Sequence, residues 1–255
     1  MIDTAIRRGP SFWWGTYRTM VRWVLTQQKV LFGAIVLTQL FMGIGAAVMY
    51  GFFLGDVDET TAIFLVTGIP ALSLIPVGFV MVPILVMQEK FRGTHEFTWS
   101  LPVPRMVPAA ATFTVFTVIA LPIALLSTWL AALRFGVGLD PSWVVIPYGV
   151  LASLMAASVG YGMALAIPEP RITNLITNIV IFLVLLFSPI AIPIERFPEW
   201  AEVVHRILPF YHMANLIRSG LTEGLATDVG QSLAVVIVWT VAGWALVSRV
   251  VGKRG

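Results

Sequence analysis

The feature that most constrains this chain is a series of long apolar runs separated by short polar stretches. A helix needs about 20 mostly apolar residues to cross the hydrocarbon core of a bilayer. Six stretches satisfy this requirement, and they cover residues 30–54, 62–87, 107–133, 143–167, 175–194 and 232–250. The sequence therefore predicts an all-α polytopic membrane protein with six transmembrane helices.

The composition of the chain supports a bilayer as its solvent. Of its 255 residues, 58% are hydrophobic and 11% are charged, whereas a soluble domain carries about 25% charged residues. Cysteine is absent, which excludes disulfides and cysteine-based metal sites. The three histidines, His95, His205 and His212, are too dispersed in sequence to indicate a metal centre. We expect no metal, no cofactor and no catalytic residue in this chain.

The distribution of charge predicts the orientation. If the N-terminus lies in the cytoplasm, 12 of the 16 Lys and Arg residues fall on the inner side, and Arg134, Arg196, Arg206 and Arg218 fall outside. Inner loops of membrane proteins are enriched in Lys and Arg. Six spans also return the C-terminus to the cytoplasm. The predicted organisation is one transmembrane domain, 1–255, in a plasma membrane: an N-terminal helix (1–29), a six-span bundle (30–250) and a cytoplasmic tail (251–255).

The stretch before the first span has the pattern of an amphipathic helix. Its apolar stripe is formed by Trp13, Tyr17, Met20 and Val24, with Trp14 beside it. Arg18 and Arg22 fall on the opposite face. Helices with Trp on one face and Arg on the other are typical of the membrane interface. We predict an interfacial elbow helix that braces the first span, with a simple topogenic anchor as the compatible alternative.

Two of the predicted spans have patterns that indicate contact with protein. The second carries Pro70, Pro76 and Pro83, each of which frees a carbonyl that neighbouring protein or water must satisfy. In the fourth, small residues recur every fourth position, which favours close helix packing. They are Ala152, Ala156, Gly160 and Ala164.

The stretch after the fifth run is amphipathic, rich in proline and too charged to span a bilayer. It covers residues 188–224. We predict a pair of re-entrant or interfacial helices there, with an ordinary exposed loop as the alternative.

Several functional classes lose support because the residues that they require are missing from the sequence. No charged residue or histidine lies in the middle of a predicted span, whereas ion-coupled carriers retain such residues for function. Neither H-E-x-x-H nor the phosphate-binding pattern GxxxxGK[ST] occurs. If ATP drives this protein, another polypeptide must bind the nucleotide.

The 88–105 segment, on the cytoplasmic side between spans two and three, carries the most specific motif. Its sequence "EKFRGTHEFTWSLPVPR" resembles the corresponding segment in permeases of type-2 ATP-binding-cassette (ABC) exporters. The matching residues are Glu89, Lys90, Arg92, Gly93, Thr94, Glu96, Leu101, Pro102, Val103 and Arg105. Phe91 departs from the family pattern, which often has an acid there. The stretch from 188 onward resembles the family more loosely.

The resemblance implies an architecture and a mechanism. Two six-span permease subunits, identical or different, would form a dimer lined by spans one, two and five. Two separate ATP-binding subunits would hold ATP and Mg²⁺. The 88–105 segment would form the coupling helix that docks in those subunits, and re-entrant helices would close the exit.

The low charge of the spans favours a hydrophobic or amphipathic substrate, such as a drug, an antibiotic or a lipid-like molecule. Candidates for the conduit or its gate are Pro76, Phe187, Pro189 and Phe210, with simple packing as the alternative role. Two other functions remain open: an ion-gradient-driven carrier, and a non-transporting immunity or sensor protein. Nucleic acid is not expected as a partner.

Overall fold

The computed structural model describes residues 9–54 and 58–253, apart from the side chains of a few residues inside the helices. No strand is present in these residues, in agreement with the predicted all-α class. The eleven α-helices of this part of the chain are α1 Pro10–Gln27, α2 Lys29–Leu54, α3 Glu59–Pro76, α4 Val82–Phe91, α5 Thr94–Ser100, α6 Val107–Phe135, α7 Val145–Ala166, α8 Pro170–Phe187, α9 Glu199–Ile207, α10 Pro209–Leu221 and α11 Val229–Lys253.

Five stretches of helix are long and apolar enough to cross a membrane. They are Phe32–Met49, Glu59–Phe91, Val107–Phe135, Val145–Ala166 and Val229–Gly252. Their positions confirm predicted spans one, two, three, four and six. Arg7 and Arg8 of the predicted cytoplasmic N-terminus lie outside the described residues, and the sidedness of both termini stays a prediction.

The predicted boundaries of the fifth span are wrong. Helix α8 begins at Pro170, before the predicted 175, and ends at Phe187 rather than near Ile194. Proline suits the first turn of a helix, where no backbone N–H is needed. At the other end, Pro189 disfavours a helical conformation for the residue before it, and Ser188 is extended (φ −82°, ψ 137°). The apolar part Pro170–Val184 is shorter than a full span, so the count of six remains a prediction.

A continuous helix of 33 residues, Glu59–Phe91, forms the centre of the structure. We call it the central helix; it comprises α3, a π-helical segment Val77–Met81, and α4. Pro70, Pro76 and Pro83 are all buried, which confirms that the proline side of this helix faces protein. At its N-terminus Asp58 accepts hydrogen bonds from the Thr61 side chain and N–H, and these bonds hold the pKa of the exposed Asp58 carboxyl below its usual value.

The ladder of small residues in α7 packs against the π-helical segment of the central helix. A Cβ added at Gly160 would overlap the carbonyl oxygen of Gly78, and one added at Gly78 would overlap Ala156. The opposite side of α7 packs along α11, where Gly243 meets Ser158. The prediction that this ladder serves helix packing is confirmed, because only a glycine at each contact permits so close an approach.

A single buried glutamine connects the first span to two others. Gln39 of α2 is fully buried, and its Nε2 donates to the carbonyl oxygens of Ala120 in α6 (3.0 Å) and Ser73 in α3 (3.4 Å). Near Pro76 the helix tightens, and the Val77 N–H bonds to Leu74 instead of the Ser73 carbonyl four residues back. Gln39 therefore satisfies a carbonyl that the proline region releases.

Helices α9 and α10 form a pair of which α10 packs into the body of the bundle, while one face of α9 stays exposed. The start of α10 packs on the π-helical segment, with the rings of Phe210 and Phe79 5.2 Å apart. Its end meets the start of α7, because the Ser142 N–H donates to the Gly220 carbonyl (2.8 Å). The Ile207 carbonyl at the end of α9 accepts from Nε1 of Trp239 (3.0 Å), about 15 Å along α11 from its first residue.

Candidate functional site

The 88–105 segment is a compact helix–turn–helix at one end of the central helix. Helix α4 continues to Phe91, the chain turns at Arg92 and Gly93, and the short helix α5 follows. Gly93 has a left-handed conformation (φ +69°), which glycine adopts without steric cost. This requirement gives a physical reason for glycine in the family motif. The side chains of Glu96 and Trp99 lie outside the described part of the structure.

Lys90 points back into its own chain. Its Nζ donates to the carbonyl oxygens of Ala164 (2.6 Å), Ile167 (3.0 Å) and, more weakly, Leu165 (3.5 Å). These carbonyls terminate α7, where the helix dipole places partial negative charge and a cation is favourable. Lys90 therefore ties the 88–105 segment to the end of α7, a contact that the sequence motif alone does not reveal.

Helix α1 lies against the start of α6 and braces the other side of the segment. Met20 and Val24 of its apolar stripe are buried, and the Tyr17 hydroxyl donates to Thr114 of α6 (2.7 Å). Leu101 and Val103 pack into the same cluster. A narrow crevice between α1 and the segment is lined by Trp23, Val24, Gln27, Gln28, Gln88, Glu89, Arg92 and Thr94.

The polar face of α1 is open, as the sequence pattern predicts. Arg18 and Arg22 are exposed, and Trp14 is more than half exposed. Trp13 is half-buried and stacks on Tyr17, with ring centroids 5.2 Å apart. The predicted apolar stripe thus packs mainly on α6. The residues that remain open for a membrane interface are Trp14, Trp23 and Leu25, and the interfacial role itself stays a prediction.

The exposed surface of the 88–105 segment holds both aromatic rings and cations. Phe91 is 74% exposed and Phe97 is 55% exposed. Arg92, Pro102 and Arg105 of the same segment are exposed as well. Large apolar side chains left exposed by a chain are typical of a surface that binds a protein partner or a membrane.

The conduit candidates do not meet in one open cavity. Pro76, Pro189 and Phe210 are buried in the chain's own core, and only Phe187 is exposed. Their role as conduit or gate stays a prediction, and in this arrangement it would require the core around them to open.

A buried polar network joins α10 to α11, and no pattern in the sequence predicts it. Asn215 Nδ2 donates to Ser232 Oγ (2.9 Å), which lies 3.0 Å from Nδ1 of His212. Nε2 of His212 lies 2.9 Å from the Arg206 carbonyl, so this nitrogen must carry the proton. Ser232 then donates to His212 Nδ1, and every member has a partner. The network fixes α10 between the end of α9 and the start of α11.

Arg218 is the one functional candidate that sequence reasoning overlooks entirely. The charge count assigns it to the outer side, yet the structure buries it within α10 at 1% exposure. Its guanidinium lies against α3 and the turn that follows α8. The burial of this cation marks it as unusual, but the sequence does not show that burial.

Across residues 9–54 and 58–253, no group of three or more His, Cys, Asp and Glu residues could hold a metal ion.

Comparison with known families identifies the chain. Curated proteins give no significant match. The family model described as ABC-2 type transporter matches residues 13–222, which include most of α1, the central helix, the 88–105 segment and the α9–α10 pair. The matched region covers most of the chain, and the apolar helices fit a multi-pass membrane protein. The chain therefore belongs to the ABC-2 type transporter family, as a membrane permease component that is not itself the ATPase.

Proposed function

We propose that this chain is the permease subunit of an ATP-driven exporter, and that two separate ATP-binding subunits dock on its 88–105 segment. ATP and Mg²⁺ bind to those subunits in this proposal, so the permease holds no cofactor. The observation that carries the proposal is the exposed surface of this short segment, which holds two aromatic rings, Phe91 and Phe97, and two cations, Arg92 and Arg105.

The support beneath this face suits the transmission of movement. The segment is continuous with the central helix, tied to α7 through Lys90 and packed on α1 and α6 through Leu101 and Val103. A partner that displaces the segment would therefore move the central helix and α7 together. Packed helices transmit such displacements as rigid bodies because their interiors are close-packed.

A second permease subunit, identical or different, would cover the apolar faces of α2 and α8. Both helices flank the central helix, and both have exposed stripes at helical spacing. The stripe of α2 includes Leu37, Phe41, Ile44, Val48 and Phe52, and that of α8 includes Ile172, Leu175, Ile179, Phe182 and Leu186. Most of the central helix is already buried within the chain, so it contributes little to this dimer surface.

The α9–α10 pair would form the re-entrant closure on the exit side. The contact of Phe210 with the π-helical segment and that of Ile207 with Trp239 support a turn between the two helices that packs on the π-helical segment and on the middle of α11. The substrate in this proposal is hydrophobic or amphipathic, because the candidate spans carry few charges, and transport runs outward across the plasma membrane.

The proposal is tested by purifying the tagged chain from its native membrane. We expect an ATP-binding subunit to co-purify, and candidate drugs to change its ATP hydrolysis in liposomes. Substrate flux driven by an ion gradient, or binding without flux and without an ATPase partner, would instead support the carrier or the immunity protein.

Charge reversal of Arg92 should release the ATP-binding subunit. Arg92→Glu places an acid on the exposed face, and a like-charge contact or a lost ion pair at an interface costs several kcal/mol. We expect co-purified ATPase to fall at least about tenfold while the permease stays in the membrane. Replacement of Glu89 or Glu96 should also weaken assembly or uncouple transport.

Arg22→Glu is the matched control for Arg92→Glu. Arg22 is also exposed on the predicted cytoplasmic side, but it lies on the polar face of α1 and outside the 88–105 segment. Its reversal should leave co-purification unchanged. Full ATPase recovery and normal transport with Arg92→Glu would remove the support for docking at this segment.

A further inference from the structure

The guanidinium of Arg218 joins three separate parts of the chain. Its Nε donates to Thr67 Oγ1 (3.1 Å) and its Nη2 to the Phe64 carbonyl (3.3 Å), both in α3. Nη2 also donates to the Ile190 carbonyl (2.9 Å) in the turn after α8. The guanidinium carbon lies 3.7 Å from the centre of the Phe64 ring. One side chain of α10 thus holds α3 and the 188–190 turn together.

A second contact brings the same carbonyl against α3. A Cβ added at Gly68 would lie 2.7 Å from the Ile190 carbonyl oxygen, which is closer than real Cβ contacts allow. Glycine at this position therefore lets the 188–190 turn seat directly on the central helix. Arg218 and Gly68 act on the same carbonyl from two different helices, so the position of the turn is doubly specified.

The neutral surroundings of the Arg218 guanidinium favour a contact that can break and form again. Among the described residues, the partners of Arg218 are neutral: two carbonyls, one hydroxyl and an aromatic ring. A buried cation without an acidic partner retains a large desolvation cost. Charge-assisted hydrogen bonds offset part of that cost only while all three acceptors stay in place. Displacement of the turn or of α3 would therefore weaken the whole set at once.

We propose that Arg218 is a positioning residue that holds the 188–190 turn closed against α3, and that movement of the central helix releases it. The role in transport rests on the proposed function. The central helix carries the 88–105 segment at one end and Thr67 near the other, 24 residues from Phe91, or about 36 Å of helix. Displacement of the segment by an ATP-binding subunit would thus reach the Arg218 contacts through one continuous element.

The chain itself offers a local reporter for this closure. It contains no cysteine, so a single introduced thiol is the only one in the tagged permease that can react. Ser188 is buried and its Oγ has no partner in the described structure, so Ser188→Cys sacrifices no hydrogen bond. The measurement is the rate at which N-ethylmaleimide modifies this thiol in membrane fragments that contain the permease and its co-purifying ATP-binding subunits.

We expect slow modification in the otherwise native chain, and a rate at least about tenfold higher when Thr67→Val, Gly68→Ala or Arg218→Lys is added, since each removes or displaces a charge-assisted bond. Two matched controls should leave the rate unchanged. Thr240→Val loses only a bond to its own helix, and Gly230→Ala at the start of α11 introduces a methyl group into open space.

A second reporter separates local opening from general destabilisation. Ser153→Cys places a thiol in buried α7, far along the chain from the turn. Its modification should stay slow in all variants; equal acceleration at both sites would assign the effect to loss of folding and overturn the proposal. Unchanged rates at Ser188→Cys in every variant would overturn it as well.

Trapping with nucleotide tests separately whether ATP binding by the partner subunits opens the contact that Arg218 holds closed. Trapping the ATP-binding subunits with MgATP and vanadate should accelerate modification of Ser188→Cys in the native background and change it little in the Thr67→Val background. If the variants are fast but trapping has no effect, Arg218 still holds the turn, and the proposed ATP-driven movement is contradicted.

Discussion

Replacing Gly160 with leucine should strongly destabilise the bundle. The new side chain would occupy the space of the Gly78 carbonyl and approach Pro83 of the central helix. Overpacking a close-packed interior costs about 3 kcal/mol or more when the obstacle is backbone, because a carbonyl cannot rotate away as a flexible side chain can. The melting temperature of the detergent-solubilised chain measures the loss.

The control for this change is Gly230→Leu in α11. Gly230 also lies within a candidate span, but no other part of the described chain would lie within 4 Å of its added Cβ. Its replacement should change the melting temperature little. Equal destabilisation by the two leucines would show that the α7 ladder has no special role in packing on the central helix.

Replacing Lys90 with methionine should both destabilise α7 and uncouple transport from ATP hydrolysis. The three carbonyls at the end of α7 would lose their donor, and each buried acceptor left unsatisfied costs about 1–3 kcal/mol. The 88–105 segment would then move without α7. We expect ATP hydrolysis by the purified complex to persist while substrate flux falls at least about tenfold.

Arg105→Met is the matched control for Lys90→Met, because it removes one cation from the same segment at an exposed position. It should leave the melting temperature nearly unchanged, as surface substitutions usually do, although it can weaken docking. A Lys90→Met variant with native stability and native flux per ATP would contradict the role of Lys90 in connecting the 88–105 segment to α7.

The sequence predicted the elements whose physics is local. Runs of apolar residues located five candidate spans, and small residues at every fourth position of α7 indicated its packing surface. The predicted start of α8 came too late because Arg171, Thr173 and Asn174 lower the hydropathy of its first turns, yet Thr173 is buried and donates to the carbonyl of the N-cap residue Glu169. Hydropathy does not register polar groups that are satisfied within the helix.

The contacts of Lys90 with α7 and of Arg218 with α3 could not be predicted, because both are hydrogen bonds to backbone carbonyls far away in the sequence. Lys90 meets α7 carbonyls more than 70 positions away in the chain, and Arg218 meets α3 more than 150 positions away. Their acceptors are backbone oxygens, which have no sequence signature. The motif in 88–105 identified the family, but only the structure separates Lys90, which bonds carbonyls of α7, from Arg92 and Phe97, which are exposed.

Site-specific cross-linking from the docking face tests the central claim most directly. In this cysteine-free chain, a photoactivatable maleimide can be attached at Phe97→Cys or, for comparison, at Trp143→Cys, which is 80% exposed before the first residue of α7. The docking account predicts a covalent adduct between the permease and a co-purified ATP-binding subunit from position 97 and none from position 143. Absence of an adduct from position 97, or equal adducts from both positions, would contradict it.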